Sequence, residues 1–347
     1  MKFTIITPSF NQLPYLKRCI ASGADQVAPQ QQGSAIKGRS SCLTPDLCPL
    51  TSGLQVHHHI QDGGSTDGTV DWLRQYDAEV RSQSADANNQ YPITNNYRFT
   101  WSSERDAGMY DALNKGIERT SNSVSSNGNV IPNNQYPITN NSRDSVIAWL
   151  NCDEQYFPET LQNVSRGFEK RSESDFVYGD ALLVDAQGRL LTCRKNPPLR
   201  QAYVLADHLY TQSAAMFFRS RIFASGLRFD TAWKAVGDCD LIVRAIKAGF
   251  RPAQMRVYLA ACTMTGENLS RKRAGVEELR SFRQKAALQY RLGRPIWNLL
   301  RYSEKFIRGG FRQAVPLEYA LYPEDSNVRE KVTAQKADFR FRWDAHE

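Results

Sequence analysis

The decapeptide at residues 60–69 constrains this chain more than any other segment, because it ends an apolar run, turns tightly and begins a helix-like stretch. Its sequence is IQDGGSTDGT. The three glycines permit positive φ and close backbone approach, and Thr66 or Asp67 can cap the helix that follows. In α/β sheets, ligand sites form where a strand delivers a side chain into such a turn. Asp62 is therefore the carboxylate placed for chemistry, and a tight turn with a capping Asp is the structural alternative.

A similar strand and helix come before this segment. Residues 2–11 begin with an apolar run and end in a turn marked by Pro8 and Asn11. Apolar side chains then recur at helical spacing at Leu13, Leu16 and Ile20. Two consecutive strand–helix units predict an α/β fold, with a mostly parallel sheet and helices on its faces.

Size and composition favour a large α/β domain with an appendage. The 347 residues are 41% hydrophobic and 11% aromatic, which is enough for a substantial core. The mean hydropathy is −0.53, and no apolar run approaches the roughly 18 residues of a membrane span. The first residues enter a strand directly and lack the features of a secretory signal. We therefore expect a cytoplasmic protein without a membrane-spanning helix.

Cysteines and histidines give no sign of a metal or disulfide framework. The seven cysteines are scattered, without paired spacing, and are expected to be buried free thiols. His57, His58 and His59 are consecutive, but alternate side chains of a strand face opposite ways, so at most two of them share a face. A metal role for these histidines is therefore not expected.

Three segments have the composition of inserted loops, at residues 28–53, 82–96 and 121–143. The second and third share an identical nonapeptide, NNQYPITNN, and its Pro and Asn residues suit turns. Long surface insertions cost little stability, because the entropy of loop closure grows slowly with length. We predict a domain at residues 1–265 that contains these insertions, followed by a basic, helical extension at residues 266–347.

The net charge of +8 is concentrated in this extension. Residues 271–347 contain 17 Lys and Arg against 10 Asp and Glu. An anionic membrane surface is one partner that this pattern suggests, and a solvated or domain-packed amphipathic helix is the alternative. A nucleic acid is not expected, since no recognised motif accompanies the modest basic excess. The aromatic and basic residues concerned are Arg291, Arg294, Trp297, Arg301, Tyr302, Lys305, Phe306, Arg308 and Phe311.

Carboxylates follow two different predicted strands. Asp62 ends one of them, and Asp153 and Glu154 follow the apolar run at residues 145–150. The carboxyl ends of strands in such a sheet converge on one crevice. Adjacent carboxylates suit a hard divalent cation that also binds substrate phosphates. Turn formation and helix capping are the alternative role.

Seven motifs occur in an order that resembles the family 2 glycosyltransferases of GT-A fold. The resemblance covers roughly residues 1–250 outside the three insertions, and it depends on the ordered set, because each motif alone is weak. The motifs are TPSFN at 7–11, DGGSTDGT at 62–69, DAGMYDALNKG at 106–116, WLNCDE at 149–154, YGD at 178–180, HLYTQ at 208–212 and GDCDL at 237–241.

The resemblance implies a nucleotide-sugar donor (a UDP- or GDP-sugar), a divalent cation (Mn²⁺ or Mg²⁺) and inversion at the anomeric carbon. Asp62 would bind the nucleotide base, and Asp153 would lie near the ribose and the metal. Glu154 departs from the family, which usually has a metal-binding Asp there, and its longer side chain changes the reach of the ligand. The nucleotide pocket would be lined by Thr7, Pro8 and Asn11, and the donor site bordered by Asp106, Asp111 and Lys115.

The resemblance also implies a catalytic base. Asp238 matches the family's Asp and would accept the proton of the acceptor hydroxyl, with Asp240 as the alternative. A helix cap is the structural role open to Asp238. His208 and Gln212 would lie on the acceptor side, and Asp180 would face sugar hydroxyls.

The predicted function is therefore inverting, metal-dependent transfer of a sugar to a polysaccharide or lipid-linked glycan, as in synthesis of cell-envelope polysaccharides. The protein would be cytoplasmic, with peripheral contact at the inner face of the membrane. A degenerate copy that binds nucleotide-sugar without turnover is one alternative, motivated by the insertions and by Glu154. Nucleotidyl transfer is another, but the turn after the first strand offers no Lys or Arg to grip a triphosphate.

Overall fold

The computed structural model describes residues 1–27, 53–85, 96–121, 145–266, 273–324 and 326–340. Most of the predicted insertions, at residues 28–52, 86–95 and 122–143, lie outside the described residues, as do Cys42 and Cys48. Residues 82–85 belong to a helix, so the second predicted segment begins four residues too early. Within the described ranges, no helix has both the length and the apolarity of a membrane span.

Four parallel strands form one half of the central sheet. Their spatial order is β3-β2-β1-β4, and three helices connect or follow them. The elements are β1 Lys2–Ser9, α1 Leu13–Ala24, β2 Gln55–Asp62, α2 Thr69–Ala85, β3 Tyr97–Ser103, α3 Met109–Ser121 and β4 Ser145–Trp149. Strand β1 is buried along almost its whole length, as expected where helices cover both faces of a parallel sheet.

The sheet continues from β4 through β8, β6, β9 and β5, and β7 pairs with β6. Strands β6 and β9 are parallel, and the other pairings in this half are antiparallel and shorter. The predicted α/β fold with a mostly parallel sheet is confirmed. The remaining elements of the domain are β5 Glu154–Tyr156, α4 Thr160–Lys170, β6 Phe176–Val184, β7 Leu190–Arg194, α5 Gln201–Ala206, β8 Met216–Arg219, α6 Arg221–Ala224, α7 Gly237–Lys247 and β9 Pro252–Thr263.

Each face of the sheet has its own hydrophobic core. On one face, Phe3 and Ile5 of β1 pack in the same cluster as Leu16 and Ile20 of α1. On the other face, Ile6 of β1 packs in a cluster with side chains of α3 and α7, among them Tyr110, Leu113, Ile117 and Leu241. Alternation along β1 therefore places α1 and α3 on opposite faces and brings their N-termini to the same edge.

The C-terminal extension contains α8 Arg273–Lys285, α9 Leu288–Leu292 and α10 Arg294–Ile307, as its helical periodicity predicts. It then forms an antiparallel pair of strands, β10 Leu317–Leu321 and β11 Glu330–Ala334, which the sequence pattern did not predict.

These last strands are attached to the start of the domain. The buried Gln155 side chain exchanges two hydrogen bonds with the backbone of Tyr322. Arg329 binds both carboxylate oxygens of Asp25, at 2.5 and 3.0 Å, just after α1. The extension thus packs against the domain as part of the same structure.

Candidate functional site

The carboxyl ends of the parallel strands meet at one edge of the sheet. Ser9, Asp62 and Ser103 lie in register across β1, β2 and β3. The segment after β4 joins the same edge, because the Cys152 thiol donates to the carbonyl oxygen of Pro8 at 3.3 Å. The convergence predicted for Asp62 and the Asp153 segment is therefore present.

Asp62 is completely buried and organises the turn that follows it. Its Oδ2 accepts hydrogen bonds from the backbone N–H groups of Gly64 and Ser65, at 3.0 and 2.9 Å. The hydroxyl of Ser65 donates to Oδ1 at 2.5 Å, and that of Ser103 donates to Oδ2 at 2.6 Å. These four donors give Asp62 a structural role, and its contact with a nucleotide base stays a prediction.

The turns after β1 and β2 are connected by hydrogen bonds. Asn11 has a left-handed backbone (φ 52°), its N–H donates to the Ser65 hydroxyl, and its Oδ1 accepts from the N–H of Thr66. Pro8 precedes this turn and is partly exposed. Thr7 is buried, and its hydroxyl lies 2.9 Å from Nε2 of His58. Thr7, Pro8 and Asn11 are the residues predicted to line the nucleotide pocket, and of these Thr7 has its side chain inside the domain.

Asp67 caps both helices that start at this edge. Its Oδ2 accepts from the N–H of Leu13 at the start of α1, and its Oδ1 accepts from the N–H and hydroxyl of Thr69 at the start of α2. Although burial opposes the change, these bonds from Thr69 and Leu13 lower the pKa of Asp67. The capping predicted for Thr66 or Asp67 is therefore performed by Asp67.

Asp106 lies over the glycine turn. Its Oδ1 accepts from the N–H of Gly108 at 2.8 Å, and a Cβ placed on Gly63 would come within 2.7 Å of its Oδ2. A side chain at Gly63 would displace this carboxylate. Burial raises the pKa of Asp106, and the nearby carboxylates of Asp111 and Asp62 act in the same direction.

Asp111 and Lys115 belong to the same group, on the first turns of α3. Asp111 Oδ2 accepts from the N–H of Ala107 at 2.9 Å and lies 3.4 Å from Lys115 Nζ. Lys115 also donates to the carbonyl oxygen of Arg105 at 2.9 Å. The three residues predicted to border the donor site are thus brought together.

Helix α7 begins beside this group. Tyr110 donates to Asp238 Oδ1 at 3.4 Å, and a Cβ on Gly237 would come within 2.7 Å of the Tyr110 ring, so only glycine allows this approach. Lys234, before α7, donates to the carbonyl oxygen of Ala107 at 2.7 Å. The segments around Asp106 and Asp238 are therefore in direct contact.

Asp238 and Asp240 have different surroundings. Val236 is the N-cap of α7, so Asp238 lies in the first turn of the helix and is not its cap. Burial raises the pKa of Asp238, while hydrogen bonds from Cys239 and Tyr110 oppose the rise. Asp240 instead pairs with Arg244 at 2.7 Å. Of the two carboxylates, Asp240 is thus held in an ion pair with an arginine, whereas Asp238 accepts hydrogen bonds from Tyr110 and from the Cys239 N–H.

Asp153 and Glu154 differ in exposure. Asp153 is partly exposed, whereas Glu154 is buried at the start of β5. Glu154 Oε2 accepts from the N–H of Asn151 at 2.8 Å, and the thiol of Cys262 lies 3.6 Å from Oε1. Burial, with Asp153 adding to it, raises the pKa of Glu154 to about 8.

These contacts bear on the predicted metal site. Glu154 is buried and its two oxygens already face the Asn151 N–H and the Cys262 thiol, so it is poorly placed to reach a cation, whereas the partly exposed Asp153 fits one. Across the described ranges, no three His, Cys, Asp or Glu side chains are grouped to hold a metal ion. A cation here would need substrate oxygens as further ligands.

His208 follows Asp207, the residue through which this part of the domain contacts the C-terminal extension. His208 Nδ1 is 2.8 Å from Asp207 Oδ2, and Gln212 precedes a short 3₁₀ turn at Ser213–Ala215. Asp207 also accepts hydrogen bonds from Arg283 of α8 and from two arginines of α10, Arg294 and Arg301. Although burial opposes the change, His208 and these arginines hold the pKa of Asp207 well below its usual range.

Asp180 is buried on β6, where Oδ1 accepts from the N–H of Asn196 at 2.8 Å. Burial raises the pKa of Asp180 to about 7. Its contact with sugar hydroxyls stays a prediction, because among the residues that the structure describes no hydrogen bond joins it to the Asp106 and Asp238 group.

The three histidines alternate as the strand predicts. His57 and His59 both lie within 2.9 Å of the Thr100 hydroxyl, and His58 faces the other way, toward Thr7 and Tyr97. Burial lowers the pKa of His58 to about 3 and that of His59 to about 4.

Two residues of the site were not predicted. Tyr110 lies inside the motif at 106–116 but had no assigned role, and Asp207 stands one residue before the motif at 208–212. Tyr110 stands next to Asp111 in sequence, and this neighbourhood was the only feature that could have indicated a role for it in the site. Asp207 gave no such signal, because the three arginines that it binds are 76 to 94 residues away in sequence.

No protein-family model matches the chain, and no curated protein matches it in sequence. Solved structures resemble it at low identity. Residues 1–349 of TarS from S. aureus, in complex with UDP-GlcNAc, match with a TM-score of 0.49 and 14% identity, over 88% of this chain and 73% of that one. The mannosyltransferase PcManGT from Pyrobaculum calidifontis, in complex with GDP-Man and Mn²⁺, matches with a TM-score of 0.44 and 12% identity, over 90% and 76%. Both TM-scores lie below 0.5, so the function has to be argued from this chain's own residues.

Proposed function

We propose that this chain is an inverting glycosyltransferase, which moves a sugar from a nucleotide-sugar to a hydroxyl of a polysaccharide or lipid-linked glycan. The observation that supports it best is the contact between the Asp106–Asp111 segment and Asp238 through Tyr110. This contact brings a partly buried carboxylate of raised pKa to the edge where the parallel strands end, the usual place for a ligand site in such a sheet.

The proposed reaction is a single displacement. The acceptor oxygen forms a bond to the anomeric carbon as the bond from that carbon to the diphosphate oxygen breaks. Asp238 accepts the hydroxyl proton, and the nucleoside diphosphate leaves with the electron pair. A general base is most effective when its pKa lies near the working pH, which is the direction in which burial moves Asp238.

The donor would lie against the turns after β2 and β3. Lys115, held between Asp111 and the Arg105 carbonyl oxygen, supplies positive charge beside this group. Because Gly63 has no side chain, the Asp106 carboxylate can lie directly against the backbone of this turn. Asp106 would then contact the sugar, and the turn that Asp62 organises would contact the nucleotide.

A divalent cation would be held by Asp153 together with oxygens of the donor. Mg²⁺ and Mn²⁺ commonly use one or two carboxylates and substrate phosphates. Such a cation would neutralise the charge of the leaving diphosphate. Glu154 would support this segment through its bond with the Asn151 N–H instead of binding the metal.

A binder without turnover is the second candidate. The observation that favours it is the inward position of Glu154, where the resembled family has a metal ligand. Binding of donor without hydrolysis or transfer would identify this function.

Nucleotide binding and donor hydrolysis, with and without Mn²⁺ or Mg²⁺, test the proposal. We expect UDP or GDP to bind more tightly when Mn²⁺ or Mg²⁺ is present. The metal should no longer strengthen nucleotide binding in Asp153→Asn, and it should still do so in Glu154→Gln. Glu154→Gln is the matched control, because it keeps an acceptor for Asn151. If the folded wild-type protein binds no nucleotide with either metal, the proposal is wrong.

A further inference from the structure

Helices α9 and α10 present large apolar side chains to solvent. We call these the outer apolar face: Leu288, Leu292, Ile296, Leu299, Phe306 and Ile307, which are between 62% and 80% exposed. Within α9 the two leucines are four residues apart, and within α10 the spacing of Ile296, Leu299, Phe306 and Ile307 places these four side chains on one side of the helix. A single exposed leucine is ordinary, but a continuous stripe of this kind marks an interaction surface.

The opposite side of α10 is polar and faces the domain. Arg294 and Arg301 bind Asp207, at 3.0 and 2.8 Å, and Glu304 binds Arg200 and Tyr203 at 2.6 and 2.8 Å. Rotation of the helix to bury its apolar side would break these contacts and leave charges unpaired, which is costly. The outward direction of the apolar side is therefore fixed by the domain.

The charges around this face have one sign. Residues 286–317 contain six basic side chains and one acidic side chain. Glu304 is paired with Arg200, and Arg294 and Arg301 are paired with Asp207, so the four charged side chains that remain are all basic. Arg291, Arg308 and Arg312 are exposed beside the apolar side chains. A partner for this surface must therefore combine negative charge with an apolar interior.

We propose that the outer apolar face binds the surface of an anionic lipid bilayer. An amphipathic helix with basic flanks enters the headgroup region by about 5–10 Å, where lipid charge and acyl chains satisfy both features. A second copy of the chain is a poorer partner, because a symmetric contact would place like charges against one another. Of the aromatic and basic residues expected to form such a surface, Arg301 is excluded because it is buried on Asp207.

The same contacts connect the outer apolar face to His208. Asp207 Oδ2 contacts both Arg301 of α10 and His208, the next residue along the chain. If His208 lies on the acceptor side, as the proposed function holds, bilayer binding would present that side to acceptors anchored in the same membrane. This step rests on the proposed function, whereas bilayer binding itself does not.

Vesicle co-sedimentation of the full chain tests the proposal. The probes are vesicles of two parts phosphatidylcholine to one part phosphatidylglycerol, and vesicles of phosphatidylcholine alone. We expect binding to the anionic vesicles that weakens with salt. The double variant Leu292→Ser/Ile296→Ser should bind about tenfold more weakly or worse, because two large apolar side chains no longer enter the interface.

The matched control is Val276→Ser/Val328→Ser, which removes two exposed apolar side chains outside the face and should bind as the wild type does. The proposal is overturned if the wild type stays in solution with anionic vesicles at low salt, or if both double variants bind equally. It is also overturned if the wild type is a dimer that Leu292→Ser/Ile296→Ser converts to a monomer, since a second copy then covers the face. The assay needs no nucleotide and donor binding needs no lipid, so failure of one leaves the other intact.

Discussion

Tyr110 and Asp238 are 128 residues apart in the chain, and the phenol hydroxyl of one lies 3.4 Å from the carboxylate of the other. The contact joins the first turn of α3 to the first turn of α7. It keeps Asp238 close to the Asp106 turn and supplies one of the hydrogen bonds that limit the rise in the pKa of Asp238.

Replacement of Asp238 by asparagine should abolish sugar transfer while preserving donor binding. Asparagine keeps the size of the side chain but cannot accept the hydroxyl proton, and loss of a general base typically lowers kcat by about 10²- to 10⁴-fold. Steady-state kinetics with donor titration measure both effects. Asp240→Asn is the control, and an equal loss of kcat in that variant would contradict the assignment of the base.

Replacement of Tyr110 by phenylalanine should move the acidic limb of the pH profile to higher pH. The hydroxyl stabilises the ionised form of Asp238, so its removal raises the pKa of that carboxylate. A hydrogen bond of ordinary strength corresponds to roughly half to one pH unit. The dependence of kcat/KM on pH measures the change, with Tyr319→Phe, whose hydroxyl binds the carbonyl oxygen of Gly188, as the control. An unmoved limb would show that Asp238 does not govern it.

Replacement of Asp207 by asparagine should detach the C-terminal helices. Arg301 is 4% exposed and would lose its carboxylate partner, at a cost of about 3–5 kcal/mol. Urea unfolding measures the loss, and limited proteolysis should then cut within α8 to α10. Asp71→Asn breaks the exposed pair with Arg74 and should cost less than about 1 kcal/mol. Similar values for the two variants would contradict the structural role of Asp207.

His58 should make the folded protein less stable in acid. Burial lowers its pKa to about 3, so between pH 6.5 and 3 the unfolded state binds a proton that the folded state does not. Each unit by which the pH falls within this window lowers the free energy of unfolding by about 1.4 kcal/mol. Above pH 6.5 neutral His58 contributes its full share of the stability. Glu154 and Asp180, whose pKa values are raised, act in the opposite direction.

The measured quantity is therefore the difference between the wild type and His58→Gln, in which the effects of other groups cancel. From pH 7 to pH 5 the wild type should lose about 2 kcal/mol more than the variant does. At pH 8 the difference reflects only the lost hydrogen bonds to Thr7 and Tyr97. If the difference in unfolding free energy between the wild type and the variant is the same at pH 7 and pH 5, His58 takes up its proton in the folded state as readily as in the unfolded state.

The sequence was sufficient to predict the features set by local pattern. Strand β2 ends at Asp62, a helix follows its glycine turn, and Asp106, Asp111 and Lys115 come together because they occupy one turn and the helix after it. The alternation of the three histidines follows from the period of a strand.

Features that depend on distant partners were not predicted. The direction of Glu154 is set by the pairing of β5 with β9, where Cys262 faces it. The periodicity of α10 correctly indicated an amphipathic helix, but its polar side faces the domain because Asp207, Arg200 and Tyr203 bind it there. The strands β10 and β11 carry no strong local signal, and their burial is provided by the hairpin of β6 and β7.

The pairing of Asp25 with Arg329 spans 304 residues and has a consequence for synthesis on the ribosome. At about 5–20 residues per second, Arg329 is made roughly 15–60 seconds after Asp25. Until the last strands are made, the end of α1 and the buried amide of Gln155 lack their final partners. A nascent chain that stops after Asp238 but before Tyr322 should therefore be retained by chaperones or degraded, even though it already contains every residue assigned to the crevice.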